Sequence, residues 1–323
     1  MQSIKRDEFG LSAAELAEIL SISPQAVYQK LKTTGDGARH PDKGYILYSP
    51  DVRNLFLERG IKYEHKVVTF ACAKGGVGKT SLAYSFAIRA NMFGARVLCL
   101  DLDMQGHLTL AFTTEENNLL SENVPVFGDL LNGEKSSIKD LIVPITSSFH
   151  LIPSNLDNST VETTLSSNRK INLKNAVANY LETLRDDYDY IVIDTAPGFS
   201  GINVAAFCAS DLVIVPAAPD RFGIDGVRKT VTELSDIKSN YELNFDIRIL
   251  LNRYDARKKL SVTQFLKLQS EFPDLLLPCY VRENSEIPNA TAKGTNVFEA
   301  SRKRTPAKED LDVLAREILN LRS

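Results

Sequence analysis

Lys74-Gly75-Gly76-Val77-Gly78-Lys79-Thr80 lies between an apolar run, 67–72, and an amphipathic run that begins at Thr80. Strand, glycine-rich turn and helix in that order make a phosphate cradle. Glycines let backbone N–H groups approach anionic oxygens without side-chain clashes. The helix that follows adds the positive end of its dipole. In such a loop Lys79 reaches the β and γ phosphates, and Thr80, followed by Ser81, offers a hydroxyl to a magnesium ion. One position departs from the general spacing of such loops: Ala73 stands where the first glycine is usual.

Outward from this loop, apolar strands alternate with amphipathic helices. Strands are expected at 67–72, 96–101, 190–194, 212–216 and 245–252, with a further short one closing at 151–153. Helices are expected at 80–93, 171–186, 201–209, 223–239, 262–272 and 308–321, and a short one near 126–131. The strands are rich in Val, Ile and Leu and do not alternate, as in strands buried on both faces. This predicts an α/β fold with a mostly parallel, helix-flanked sheet.

Two further strand ends carry carboxylates. Asp101-Leu102-Asp103-Met104-Gln105-Gly106 follows one strand, and Tyr190-Ile191-Val192-Ile193-Asp194-Thr195-Ala196-Pro197-Gly198 contains another. Acids at the carboxyl ends of parallel strands border the ligand crevice. There they can orient water or hold magnesium.

Taken together, these strings resemble the deviant Walker A box, the D-x-D-P-Q switch (with Met104 in place of proline) and the Walker B segment of the ParA/MinD ATPases. The resemblance runs from about residue 66 to 321. It implies ATP and Mg2+ as cofactors and ATP hydrolysis as the activity. It implies that Lys74 crosses a homodimer to the partner's phosphates. Asp103 would activate the hydrolytic water, with Thr80, Asp101 and Asp194 around the magnesium. Softer matches are Val213–Pro216 with Pro219 and the glycines 223 and 226, and Leu250-Leu251-Asn252-Arg253, where Asn252 would read adenine; the alternative for Asn252 is a strand-ending turn residue.

Residues 1–65 differ in character and are expected to form a separate domain, with 66–323 as the ATPase domain. A helix at 11–20, a turn through Ser23-Pro24 and a second helix at 24–32 suggest a helix-turn-helix. A polar loop at 35–43, a strand at 45–48 and a helix at 51–58 complete a winged-helix-like unit, similar to the MerR type and to the N-terminal domain of larger plasmid ParA proteins. Gln25, Gln29 and Lys32 on the second helix and Arg39 on the wing are the candidate DNA contacts. The unit holds nine Lys/Arg and nine Asp/Glu. That balance leaves dimerisation or partner binding as the alternative role.

The whole chain has 323 residues and a net charge of -3, so any nucleic-acid contact must come from a local patch. Between Arg253 and Lys308 there are eleven Lys/Arg against six Asp/Glu. Family members bind DNA nonspecifically through basic residues in this region, which points to Arg257, Arg282, Arg302, Lys303 and Arg304. The implied partners are a second copy of the chain, bulk DNA, a centromere-binding ParB-like protein and operator DNA. The implied setting is cytoplasmic and nucleoid-associated, with no membrane. A MinD-like membrane switch is the rival reading, and a transcription regulator a third. The four cysteines are scattered without a CxxC pair, which favours buried thiols over a metal site.

Overall fold

The computed structural model describes residues 9–34, 38–40, 44–114, 118–121, 123–168, 171–220, 223–300 and 304–321. Three short strands, β1 (Gly10–Ser12), β2 (Ala38–His40) and β3 (Gly44–Tyr48), form an antiparallel sheet in the order β1-β3-β2. Eight more form the main sheet. They are β4 (Lys66–Phe70), β5 (Val97–Asp101), β6 (Val143–Pro144), β7 (Phe149–Ile152), β8 (Tyr190–Asp194), β9 (Leu212–Ala217), β10 (Asp246–Tyr254) and β11 (Leu276–Arg282).

The main-sheet order is β11-β10-β9-β4-β8-β5-β7-β6, and every pairing is parallel except that of β6 with β7. β4, β8 and β5 are adjacent and in register, so Phe70 pairs with Asp194 and Asp194 with Asp101. The three sequence motifs therefore meet at one point on the carboxyl edge of the sheet. β4 and β8 also straddle the place where the chain's path changes direction, where ligands of open α/β sheets settle.

In the N-terminal unit, α1 (Ala13–Ile19) starts from a reciprocal cap: Ser12 Oγ accepts from Glu15 N–H, and Ser12 N–H donates to the Glu15 carboxylate. α2 (Pro24–Thr34) follows after a short turn, and α3 (Ser49–Glu58) follows the hairpin. The phosphate-loop helix, α4 (Lys79–Met92), is buried all round. One side faces the sheet. The other is covered by the N-terminal unit and by helix Pro306–Ile318, and one hydrophobic cluster includes Leu11, Leu16 and Phe56 together with Phe86, Phe149 and Leu314. That cluster runs past the boundary expected near residue 65. Polar anchors fix the contact. The Arg53 guanidinium pairs with Asp189, donates to Gly94 O at 3.1 Å and stacks over Tyr63. Tyr63 Oη donates to Phe93 O at 2.6 Å. Arg89, with only 4% of its side chain exposed, pairs with Glu15 and Asp312 and lies between the rings of Phe93 and Phe298. Asp189, Gly94 and Phe93 all belong to the amino edge of the sheet, so these anchors lie opposite the phosphate loop.

Two expectations differ from the structure. The run at 171–186 is α-helical only over Ala178–Glu182. Asparagine competes with helix through local bonds, and Asn172 Oδ1 accepts from Lys174 N–H at 2.9 Å. The strand β11 was not expected. Pro278 interrupts its apolar pattern, and the strand tolerates that residue because it lies at the sheet edge.

Candidate nucleotide site

The phosphate loop rises from β4 and turns through Gly76 and Gly78, both at positive φ (75° and 95°). Gly75 and Gly76 are exposed, while Val77 and Lys79 are buried. The loop is braced from two sides. Thr230 Oγ1, on helix Gly223–Asn240, accepts from Ala73 N–H at 3.1 Å. Asn252 Nδ2 donates to Val77 O at 2.8 Å, and its Oδ1 accepts from Arg253 N–H. A Cβ on Gly78 would stand 2.5 Å from Asn252 Nδ2, so this position requires glycine by space as well as by φ. Asn252, expected to read adenine, thus spends both ends of its amide within the protein.

Lys74 turns toward the loop after β9 and pairs with Asp220 at 2.5 Å; both side chains are more than 40% exposed. An ion pair so exposed contributes only about 0–1 kcal/mol, so Lys74 is cheaply released.

Asp101 and Asp194 are fully buried neighbours. Burial raises the pKa of each well above the carboxylate range, and the adjacent negative charge adds to the effect. For Asp101, hydrogen bonds from Thr109 and from Asp103 N–H oppose the rise. For Asp194, Thr80 and the Lys79 charge oppose it. The two acids differ in what they have left to offer. Asp101 accepts from Thr109 N–H (2.9 Å), Thr109 Oγ1 (2.8 Å) and Asp103 N–H (3.1 Å). These bonds make it a strut for the switch segment, with its oxygens already engaged by protein donors. Asp194 has two buried oxygens that lack a well-formed hydrogen bond, with the Thr80 hydroxyl as their nearby polar neighbour. An orphaned carboxylate beside Thr80 fits a cation brought in by the phosphates. Among the described residues no three His, Cys, Asp or Glu side chains form a metal site unaided, so the ion would depend on the nucleotide for its other ligands. Bound there, magnesium would neutralise charge on the phosphate oxygens.

Asp103 is 8% exposed and accepts from Gln105 N–H at 3.0 Å. Thr80 and Ser81 are half-buried at the start of α4.

A protein-family model described as an AAA domain matches residues 65–249, more than half of the chain. The cell division protein PomZ of Myxococcus xanthus is 29% identical over 300 residues, covering 90% of this chain and 86% of that protein. The chain belongs to the ParA/MinD family of P-loop ATPases. Two solved structures share its fold. The ATP complex of a Cyanothece McdA variant superposes with a TM-score of 0.70 at 21% identity, covering 81% of this chain and 99% of that one. The septum site-determining protein MinD of Pyrococcus horikoshii, complexed with Mg-ADP, gives 0.63 at 20%, covering 79% and 96%. The first of those proteins was solved with ATP and the second with Mg-ADP.

The candidate DNA residues are spread apart. Gln25 and Gln29 are exposed on α2. Lys32 and Arg39 lie on α2 and β2, with their side chains outside the described residues, as are Arg302 and Lys303 altogether. Arg257 is 91% exposed and pairs with Asp255. Arg282 is held by Asp310 and Glu309, and Arg304 by Glu18 of α1 and Glu309. The partners of Arg282 lie 27 and 28 residues along the chain and Glu18 lies in the other unit, so sequence reading missed them, whereas Asp255 stands beside Arg257.

Among the described residues no helix is long and apolar enough to cross a membrane.

Proposed function

We propose that this ATPase partitions DNA. ATP joins two subunits face to face, and Lys74 leaves Asp220 to reach the partner's phosphates. The dimer holds bulk DNA nonspecifically, which makes it nucleoid-associated, with Arg257 the most available of the candidate cations. A ParB-like protein on a centromere-like site stimulates slow hydrolysis and releases the dimer. The N-terminal unit, residues 1–65, reads operator DNA through α2 and represses its own operon.

The observation that carries this reading is the second lysine of the phosphate loop. Lys74 stands at the open face of the site in a weak pair, while Lys79 is buried beside Asp194. A self-sufficient phosphate site needs only the buried lysine. The membrane reading is the less supported one: helix Pro306–Ile318 buries Leu311, Leu314, Ala315 and Ile318 in the core and has no apolar face left for lipid.

The test is gel-shift binding to random and operon-upstream DNA with ATP, with ADP and with no nucleotide. Random-DNA binding only with ATP supports partition. Binding to anionic vesicles without DNA binding would replace it with the membrane switch.

A further inference from the structure

Asn203 sits in the first turn of helix Gly201–Cys208, among the buried apolar residues Ile202, Ala205, Ala206 and Phe207. It is fully buried. An amide in such a place costs free energy unless it is bonded. Both of its donors go to the loop after Asp194: Nδ2 donates to Ala196 O at 2.9 Å and to Gly198 O at 3.0 Å. Its Oδ1 has no partner among the described residues. These two carbonyls flank Pro197.

The same loop is stitched to the phosphate-loop strand from the other side. Thr195 Oγ1 donates to Phe70 O at 3.0 Å, and Gly198 N–H donates to Cys72 O at 3.2 Å. Pro197 lies directly over the cradle, because a Cβ on Gly75 would stand 3.6 Å from Pro197 Cγ. The helix that carries Asn203 is itself fixed. The Glu162 carboxylate accepts from Gly201 N–H at 3.0 Å and from Ile202 N–H at 2.8 Å.

We infer that Asn203 is a positioning residue for ATP hydrolysis: by gripping Ala196 O and Gly198 O it holds Pro197 against the phosphate loop and sets one wall of the γ-phosphate pocket. The inference rests on the ATPase reading. ADP would be held by Lys79, Thr80 and the glycine amides, which Asn203 does not touch. Loss of the grip should therefore slow turnover and spare ADP binding.

Asn203→Leu keeps the branched shape, though somewhat larger, and removes the donors; Asn203→Ser is smaller and too short to span both carbonyls. Melting temperature, ADP affinity, KM and kcat are measured on the full chain, with hydrogen exchange at the Gly198 amide. Expected is a kcat lower by about tenfold or more, ADP affinity within about threefold of wild type, and faster Gly198 exchange in whichever variant folds. A folded variant with wild-type kcat and unchanged Gly198 exchange overturns the inference. If the wild-type chain turns over no ATP, the ATPase reading fails separately, and the exchange measurement alone decides whether Asn203 holds the loop.

Discussion

Arg89→Met removes a guanidinium from the seam between the N-terminal unit and the ATPase body. The arginine side chain is 4% exposed, Asp312 18% and Glu15 40%. Breaking a buried pair by deleting one partner typically costs about 3–5 kcal/mol. Two features place this case at the low end: Glu15 can rehydrate, and Asp312 keeps Arg316 at 2.7 Å. Methionine still fills the space between Phe93 and Phe298 but forfeits the cation–π contacts, about 1 kcal/mol. A total of about 4 kcal/mol follows. For a chain of this size that lowers Tm by about 6 °C. If the loss is confined to the seam, the linker around Gly60–His65 becomes about 1000-fold easier to cleave under native conditions. Calorimetry and limited proteolysis read the two effects. A Tm within about 1 °C of wild type, together with unchanged cleavage, would refute the assignment of Arg89 as an anchor of the seam. Acid should weaken the same seam. Burial tends to raise the Glu15 pKa, but the Arg89 charge and the Ser12 hydrogen bonds outweigh it and lower the value. The contribution is therefore in place above the ordinary glutamate pKa and is lost as pH falls through the depressed folded one.

Lys79→Ala removes the buried cation of the cradle and should abolish ATP binding; unchanged nucleotide affinity by fluorescence titration would exclude that role. Asp103→Ala should trap an ATP dimer that still binds DNA, and rapid turnover by this variant would remove Asp103 from catalysis. Lys74→Ala should lose dimerisation or hydrolysis, and a variant normal in both by sedimentation and phosphate release would end the cross-dimer role. The Asp101–Asp194 pair, its pKa values raised mainly by burial, should hold a proton near neutral pH in the absence of nucleotide. Magnesium-nucleotide binding favours the ionised form and should release protons. Calorimetry in buffers of different ionisation enthalpy measures this, and a proton release equal in wild type and Asp194→Asn would contradict it.

The nucleotide half of the site was legible because each motif is local. Glycine spacing, Lys79 and a carboxylate at a strand end are written in consecutive residues, and parallel-strand topology brings the three ends together. What could not be read is cross-chain bonding. Nothing near Asn252 shows that its amide is taken by Val77, and nothing near Asp101 shows that Thr109 claims it. The basic C-terminal run had the same weakness: the sequence shows Arg282 and Arg304 as cations but not the carboxylates folded against them. Asn203 escaped notice because an asparagine in an apolar helix has no sequence signature until its loop is in view.

The anchors of the N-terminal unit lie at the far end of α4, and 14 helical residues span about 20 Å. In the face-to-face dimer proposed above, the two sets of anchors would be about 40 Å or more apart, on opposite outer ends. Compact helix-turn-helix dimers grip half-sites one turn of duplex apart, about 34 Å. With α2 as the proposed reading helix, heads at opposite outer ends would fit operator half-sites spaced more widely than that. They are well placed to tie two distant stretches of DNA, so that ATP would govern cross-linking between duplexes as well as attachment to one.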